Sequence, residues 1–194
     1  MKKLTGIILC GGKSCRFGQD KGLCTLAGKP MIDYPLAALK NICDDIIIST
    51  NDPRYDTLGY KIIKDNIKNI GPLGGIYSAL HESKTEDNII VSCDMPFLNE
   101  KLLNYILENK NNHLIAAAYE GQYVEPLCSY YNKKVIPIIE KLISNEQFKL
   151  QVLLKKANYK KIMINKNLEF YQNHLFLNIN TINEYKRAEK ILKL

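Results

Sequence analysis

The sequence is informative first through what is missing from it. No apolar run approaches the ~20 residues of a membrane-spanning helix, so insertion into a bilayer is not expected. The opening Met1-Lys2-Lys3 precedes an apolar stretch to Cys10, but glycines and charged residues interrupt it at once and no small-residue cleavage site follows. It therefore reads as a first strand of a cytoplasmic protein, not as a signal peptide. The six cysteines (Cys10, Cys15, Cys24, Cys43, Cys93, Cys128) contain no CxxC pair, and the histidines are scattered at His81, His113 and His174. No set has zinc-ligand spacing, so a structural metal is not expected. Thiols placed in apolar stretches behave as small hydrophobes, as in a reducing compartment. Internal repeats, low-complexity linkers and charge blocks are also lacking. The 194 residues are enough for one domain with a sizeable core and too few for two ordinary ones, so a single domain over 1–194 is expected.

What is present is average in bulk and specific in places. Hydrophobic residues make up 46% and charged residues 24%, as in a globular protein. Lys and Arg outnumber Asp and Glu by 27 − 20 = 7, which concentrates anionic ligands near the surface without naming one. A lysine-rich solvated surface would give the same surplus. The basic segment 155–166 has only Tyr159 among its cations, so it offers no stacking platform for nucleic acid.

Short apolar runs alternate with segments of helical period, which predicts an α/β protein with a mostly parallel, layered sheet. Strands are expected at 5–10, 45–50, 88–92 and 113–118, with a weaker one at 61–64. Each is rich in Ile, Val, Leu or Ala, as strands covered on both faces should be. Helices are expected at 31–39 after Pro30, at 74–81 after Gly71-Pro72, around Leu102, Leu103, Ile106 and Leu107, and at 135–143 and 182–192. A basic, Asn-rich stretch fills 155–173 between the last two.

The segment following the first strand, Leu9-Cys10-Gly11-Gly12-Lys13-Ser14-Cys15-Arg16-Phe17-Gly18-Gln19-Asp20-Lys21, carries three glycines and three cations. Glycines let the backbone approach a ligand and present N–H groups to an anion, and Arg16 and Lys21 can neutralise phosphates. The spacing fits neither GxxxxGK[ST] nor GxGxxG, which argues against a P-loop NTPase and a simple dinucleotide-binding protein. A glycine-rich turn can merely join strand to helix, but two further cations directly after a first strand favour phosphate binding. A second signal is Val91-Ser92-Cys93-Asp94-Met95-Pro96-Phe97-Leu98, where a strand ends in a carboxylate. Ligands of parallel sheets bind beyond the carboxyl ends of strands, so Asp94 stands where a metal ligand is wanted. In isolation such an Asp is more often a turn or capping residue.

Together these segments resemble the molybdenum cofactor guanylyltransferase (MobA-type) family. The resemblance rests on LCGGKSCRFGQDKGL (9–23), LAGKP (26–30), GPLGGI (71–76), SCDMPFL (92–98), EPLCSYY (125–131) and FLNINT (176–181), in the family's order and at comparable spacing. It implies a Rossmann-like three-layer α/β/α fold of the nucleotide-diphospho-sugar transferase type, with GTP and a molybdopterin-type cofactor as substrates and Mg²⁺ as the metal. The implied product is the guanine dinucleotide form of that cofactor, made by in-line attack of a terminal phosphate oxygen on the α-phosphorus with release of pyrophosphate. Molybdoenzymes or other cofactor-biosynthesis proteins are the implied partners, with no nucleic acid and no membrane.

Carried over by position, Leu9, Cys10, Gly11 and Gly12 would hold the nucleotide through their backbone, and Lys21 and Arg16 its phosphates. Asn51 and Asp65 would lie near the nucleoside. Asp94 would bind Mg²⁺ beside the triphosphate, Asn178 and Asn180 would close the same site, and Gly71, Gly74 and the segment around Glu125 would shape the pocket or meet the pterin. Cys10 stands where alanine is usual, Gly75 replaces the alanine of GPLAG, and Ile182 replaces a proline; none of these removes a charged ligand. The nearest rival is a sibling transferase, a molybdopterin cytidylyltransferase or an enzyme activating a sugar or alditol phosphate. From another class comes a non-enzymatic nucleic-acid-binding module or cofactor carrier.

Overall fold

The computed structural model describes residues 3–11 and 20–193. In chain order the elements are β1 (Leu4–Leu9), β2 (Thr25–Leu26), β3 (Lys29–Pro30), α1 (Asp33–Lys40), β4 (Asp45–Ser49), β5 (Lys61–Ile63), α2 (Pro72–Glu82), β6 (Asp87–Ser92) and α3 (Glu100–Asn109). There follow β7 (Ile115–Glu120), β8 (Tyr123–Asn132), α4 (Ile136–Ser144), α5 (Leu150–Lys156), β9 (Lys160–Ile164) and α6 (Ile182–Leu192). Seven strands form one sheet in the order β5-β4-β1-β6-β8-β7-β9, and β2 and β3 form a small separate hairpin. Within the large sheet β8 is antiparallel to both its neighbours, and the other pairings are parallel.

The central strands are apolar at successive positions because helices cover both faces. Ile8, Ile48 and Val91 pack with Leu36 and Leu39 of α1 and Leu102 and Ile106 of α3. Their chain neighbours Ile7, Ile47 and Ile90 pack on the other face with Leu73, Ile76 and Leu80 of α2, Ile139 of α4 and Leu153 of α5. The result is the expected three-layer α/β/α arrangement. A smaller cluster of Leu26, Met31, Phe97, Ile179 and Ala188 ties the hairpin and α6 to the segment that follows β6.

The chain runs from β1 outward to β4 and β5, then returns to place β6 on the other side of β1. Strand order reverses there, and in open α/β sheets the crevice beyond the carboxyl ends at such a reversal is where ligands bind.

The expected strands and helices fall on β1, β4, β5, β6, β7, α1, α2, α3, α4 and α6. Sequence periodicity did not reveal the hairpin, β8, α5 or β9, the last of which lies inside the stretch read as basic and Asn-rich.

The register of β8 is pinned at the end remote from the crevice. Asp87, where β6 starts, pairs with Asn132. Its carboxylate accepts hydrogen bonds from Tyr130 Oη at 2.6 Å and Asn132 Nδ2 at 3.0 Å, with Lys110 Nζ 3.5 Å away. At the crevice end the β7–β8 register jumps, Ala117 pairing with Ser129 and Ala118 with Glu125, so residues 126–128 stand clear of β7. Ser129 Oγ donates to the Glu125 carbonyl at 2.7 Å and closes this bulge.

Burial works against ionisation of Asp87, but the bonds from Tyr130 and Asn132 and the charge of Lys110 outweigh it and hold the carboxyl below its ordinary 3.8. A depressed carboxyl stabilises the fold above its unfolded-state value and loses that contribution as pH falls through the folded-state value. Asp87→Asn is therefore expected to cost about 1–3 kcal/mol near neutral pH. The gap to the parent protein should close as the pH is taken below the ordinary carboxylate range, as read by denaturant melts across pH.

Candidate active site

The loops leaving β1, β4 and β6, with the start of α2, enclose a cleft of about 850 Å³. That size lies within the roughly 300–1,000 Å³ usual for small-molecule sites. Leu9, Cys10 and Gly11 line it from β1, Asn51 from the end of β4, Asp65 from the segment after β5, Gly71 and Gly75 from α2, Ser92 from β6 and Leu127 from the β8 bulge. Backbone bonds fix this floor, with Cys10 N donating to Ser49 O at 2.8 Å and Cys93 N to Leu9 O at 3.1 Å. Gly12 and Arg16, expected to act with these residues, lie outside the described residues.

Two glycines have specific reasons here. Gly71 precedes α2 at φ 63° and ψ −153°, a conformation closed to other residues at ordinary cost. A Cβ at Gly75 would stand 2.8 Å from Ser49 Oγ and 3.3 Å from Leu9 Cδ2, so α2 rests directly on the strand ends. An alanine at this position would need Ser49 to give way.

At one side of the cleft Asn51 and Asp65 clasp each other. Asn51 Nδ2 donates to Asp65 Oδ2 at 3.2 Å, and Asp65 N donates to Asn51 Oδ1 at 3.1 Å. Burial pushes the Asp65 carboxyl above its ordinary range, partly opposed by the bond from Asn51.

Asp20 also lines the cleft and caps a single helical turn that begins at Lys21, its carboxylate accepting from Gly22 N at 3.0 Å. Tyr55 Oη donates to the same carboxylate. Burial, with the nearby Cys10 and Cys93 thiols, pushes the Tyr55 phenol up, which keeps it a donor. Lys21 Nζ donates to Asn180 Oδ1 at 2.5 Å and to Asp94 Oδ2 at 3.3 Å. The second carboxylate oxygen of Asp94 accepts from Ser92 Oγ at 2.6 Å.

Asn180 is set by the start of α6, where its N–H and that of Thr181 each donate to Glu184 Oε2 at 2.7 Å in a capping box. The structure thus brings Asn180 to Lys21 and Asp94. Asn178 instead turns back on its own segment, Nδ2 lying 3.4 Å from Phe176 O. Sequence reasoning missed Asp20, Tyr55 and Ser92. An Asp two residues before a glycine beside a critical lysine was the available signal for the first; Tyr55 and Ser92 had none.

Among the described residues no group of three or more His, Cys, Asp or Glu side chains could hold a metal ion. Asp94 and Asn180 do present one carboxylate and one amide oxygen to a single cationic nitrogen. Hard oxygen donors in that number suit Mg²⁺, which takes one or two protein ligands and completes its shell with water and substrate phosphate.

Glu125 sits at the bulge. Burial first, then the carboxylates of Glu120 and Asp94, push it up to about 7.

Comparison with known proteins gives a consistent picture. Residues 6–161 match the model of the MobA-like NTP transferase domain. A Flavobacterium johnsoniae protein named "Probable molybdenum cofactor guanylyltransferase" is 36% identical over 185 residues, covering 95% of each chain. A Desulfosudis oleivorans protein named "Molybdenum cofactor guanylyltransferase" is 32% identical over 199 residues, covering 100% of this chain and 98% of that one. The structure of molybdopterin-guanine dinucleotide biosynthesis protein A from Archaeoglobus fulgidus superposes with a TM-score of 0.80 at 25% identity, over 97% of this chain and 98% of that one.

Because Asp94 contributes to the raised Glu125 value, Asp94→Asn is expected to lower the Glu125 pKa from about 7. Burial remains, so the carboxyl should stop short of its ordinary 4.5. Side-chain carboxyl NMR titration reads this directly, and an unmoved Glu125 would show that the two carboxylates do not sense each other.

Proposed function

This chain belongs to the MobA-like NTP transferase family, which its residues 6–161 match, and from that premise we infer that it is a molybdenum cofactor guanylyltransferase. It joins GMP from GTP to the terminal phosphate of the molybdopterin cofactor and releases pyrophosphate. The observation that carries the reading is the meeting of Lys21, Asp94 and Asn180 beside a cleft lined by their neighbours Asp20 and Ser92 and by the Asn51–Asp65 pair.

The reaction sets an anionic nucleophile against a polyanion, so its demands are charge neutralisation and alignment. The amides from Leu9 to Gly12 cradle the nucleotide, and Asn51 and Asp65 contact the nucleoside. Lys21 and Arg16 offset phosphate charge. Asp94 and Asn180 would hold Mg²⁺, which would supply further positive charge at the triphosphate. The acceptor phosphate is largely ionised at neutral pH, so no residue need act as its general base. The β8 bulge, with Glu125 and Leu127, lies beyond β6 from the nucleoside side and receives the pterin. No helix among the described residues is long and apolar enough to cross a membrane. Cytoplasmic cofactor-biosynthesis proteins and recipient molybdoenzymes are the partners this role entails.

Purified protein incubated with Mg²⁺, molybdopterin and each NTP in turn should release pyrophosphate with GTP and yield the guanine dinucleotide. Preferential turnover of CTP would move it to the sibling cytidylyltransferases. Asp94→Ala and Lys21→Ala should fold, by circular dichroism and melting, yet lose about 10²–10³ in rate. Near-parental pyrophosphate release by either variant would remove that residue from the mechanism.

A further inference from the structure

The ammonium that the proposed reaction would set against the triphosphate is engaged with Asn180 and Asp94 in this structure. Lys21 Nζ lies 2.5 Å from Asn180 Oδ1 and 3.3 Å from Asp94 Oδ2. The contact is sheltered, the Lys21 and Asp94 side chains being 13% and 16% exposed. Both acceptors are held by their own surroundings. Asp94 is fixed through Ser92 Oγ, and its carbonyl accepts from Ile179 N at 2.9 Å. Asn180 is fixed through Glu184. The lysine, a compact charge on a flexible four-carbon stem, is the member of the trio free to move.

Two fixed oxygens facing one monovalent cation make the same offer to a divalent one, but both cannot accept. A divalent ion bound there would sit within a few ångströms of the ammonium, and like charges at that range repel strongly even at high effective dielectric. We propose that Lys21 occupies the Asp94–Asn180 cation position in the free enzyme and leaves it only when a nucleoside triphosphate offers the ammonium another anion, so that the divalent metal enters with the nucleotide and not before it. This rests on the reading of Asp94 as a metal ligand. Lys21 then has two sequential duties: it neutralises the metal site while the cleft lacks nucleotide, and it neutralises phosphate once the nucleotide is in place. Asn180, by the same geometry, is the second protein oxygen of the cation position.

The test is Mn²⁺ binding to the purified full-length protein, followed by the electron paramagnetic resonance signal of the free ion, with and without a non-hydrolysable GTP analogue. Without nucleotide, Lys21→Ala and the longer neutral Lys21→Gln should bind Mn²⁺ about tenfold more tightly than the parent, or better. Lys21→Arg, which keeps the charge, should stay as weak as the parent. The analogue should tighten Mn²⁺ binding strongly in the parent and much less in the two neutral variants. Equal nucleotide-free affinity in the parent and both neutral variants overturns the proposal, as does an Arg variant that behaves like Ala. Adding Asp94→Asn to Lys21→Ala separates this from the underlying reading: if nucleotide-free Mn²⁺ binding is as tight in the double variant as in Lys21→Ala, Asp94 is not a metal ligand and both fall. If Asp94→Asn weakens Mn²⁺ binding while the Lys21 variants match the parent, only the occupancy by Lys21 is wrong.

Discussion

The order of strands around β1 governs everything at the cleft. Because β4 and β6 flank β1 and all three run parallel, their carboxyl ends reach one edge of the sheet together. Residues that follow each strand then become neighbours although the chain separates them widely. Cys10 follows β1, Asn51 lies just beyond β4 and Asp94 lies just beyond β6. A parallel arrangement is stable only when both faces are covered, which is why β1, β4 and β6 are apolar at consecutive positions and why helices lie on both sides. The same constraint that builds the core thus delivers a carboxylate, an amide and the end of β1 to one crevice.

Electrostatics then explains why so few chemical groups are needed. Carboxylates cluster near the crevice, and Asp65 and Glu125 are both pushed above their ordinary values, chiefly by burial. Left alone, such a pocket would repel a polyanionic substrate. Lys21 counters this at the point closest to Asp94, and the net charge of +7 acts at longer range on any phosphate that approaches. Transfer between two phosphates needs no nucleophilic side chain, so the sequence carries no His or Cys constellation, and its buried thiols remain packing groups. Cys128 illustrates this, since full burial raises its pKa beyond any useful reactivity.

Legibility in the sequence followed the strength of local signals. The central strands β1, β4 and β6 announced themselves as short apolar runs between segments of helical period, and α2 through Gly71-Pro72, so the core and the crevice could be placed from residues alone. β8 could not: its residues keep no regular two-residue alternation and are interrupted by Pro126, and its register depends on Asp87, 45 positions before Asn132. β9, spelled Lys160-Lys161-Ile162-Met163-Ile164, is short and half polar because it is an edge strand, so its pattern resembles a loop. Within the site, Asp94 was visible because a carboxylate just after an apolar strand is conspicuous, and Lys21 as one of three cations in the glycine-rich segment that follows β1. The choice between Asn178 and Asn180 was invisible, since both amides sit in FLNINT and only the capping box of Thr181 and Glu184 orients the second of them.

That last dependence gives the C-terminal segment a part in shaping the site. The MobA-like match ends at residue 161, yet Asn180 lies beyond it and supplies one of the two oxygens on Lys21. Its placement relies on contacts to both halves of the site. Ile179 N binds the Asp94 carbonyl, Tyr185 Oη binds Thr25 O at 2.5 Å, and Ile179 and Ala188 pack with Leu26, Met31 and Phe97. The hairpin after Lys21 and the turn after Asp94 meet directly, through the Lys21–Asp94 contact and the packing of Phe97 on Leu26 and Met31, and α6 braces both. Tyr55 holds the lysine turn from the β4 side through Asp20, so α6 adds a second anchor that fixes Asn180 against the same two segments.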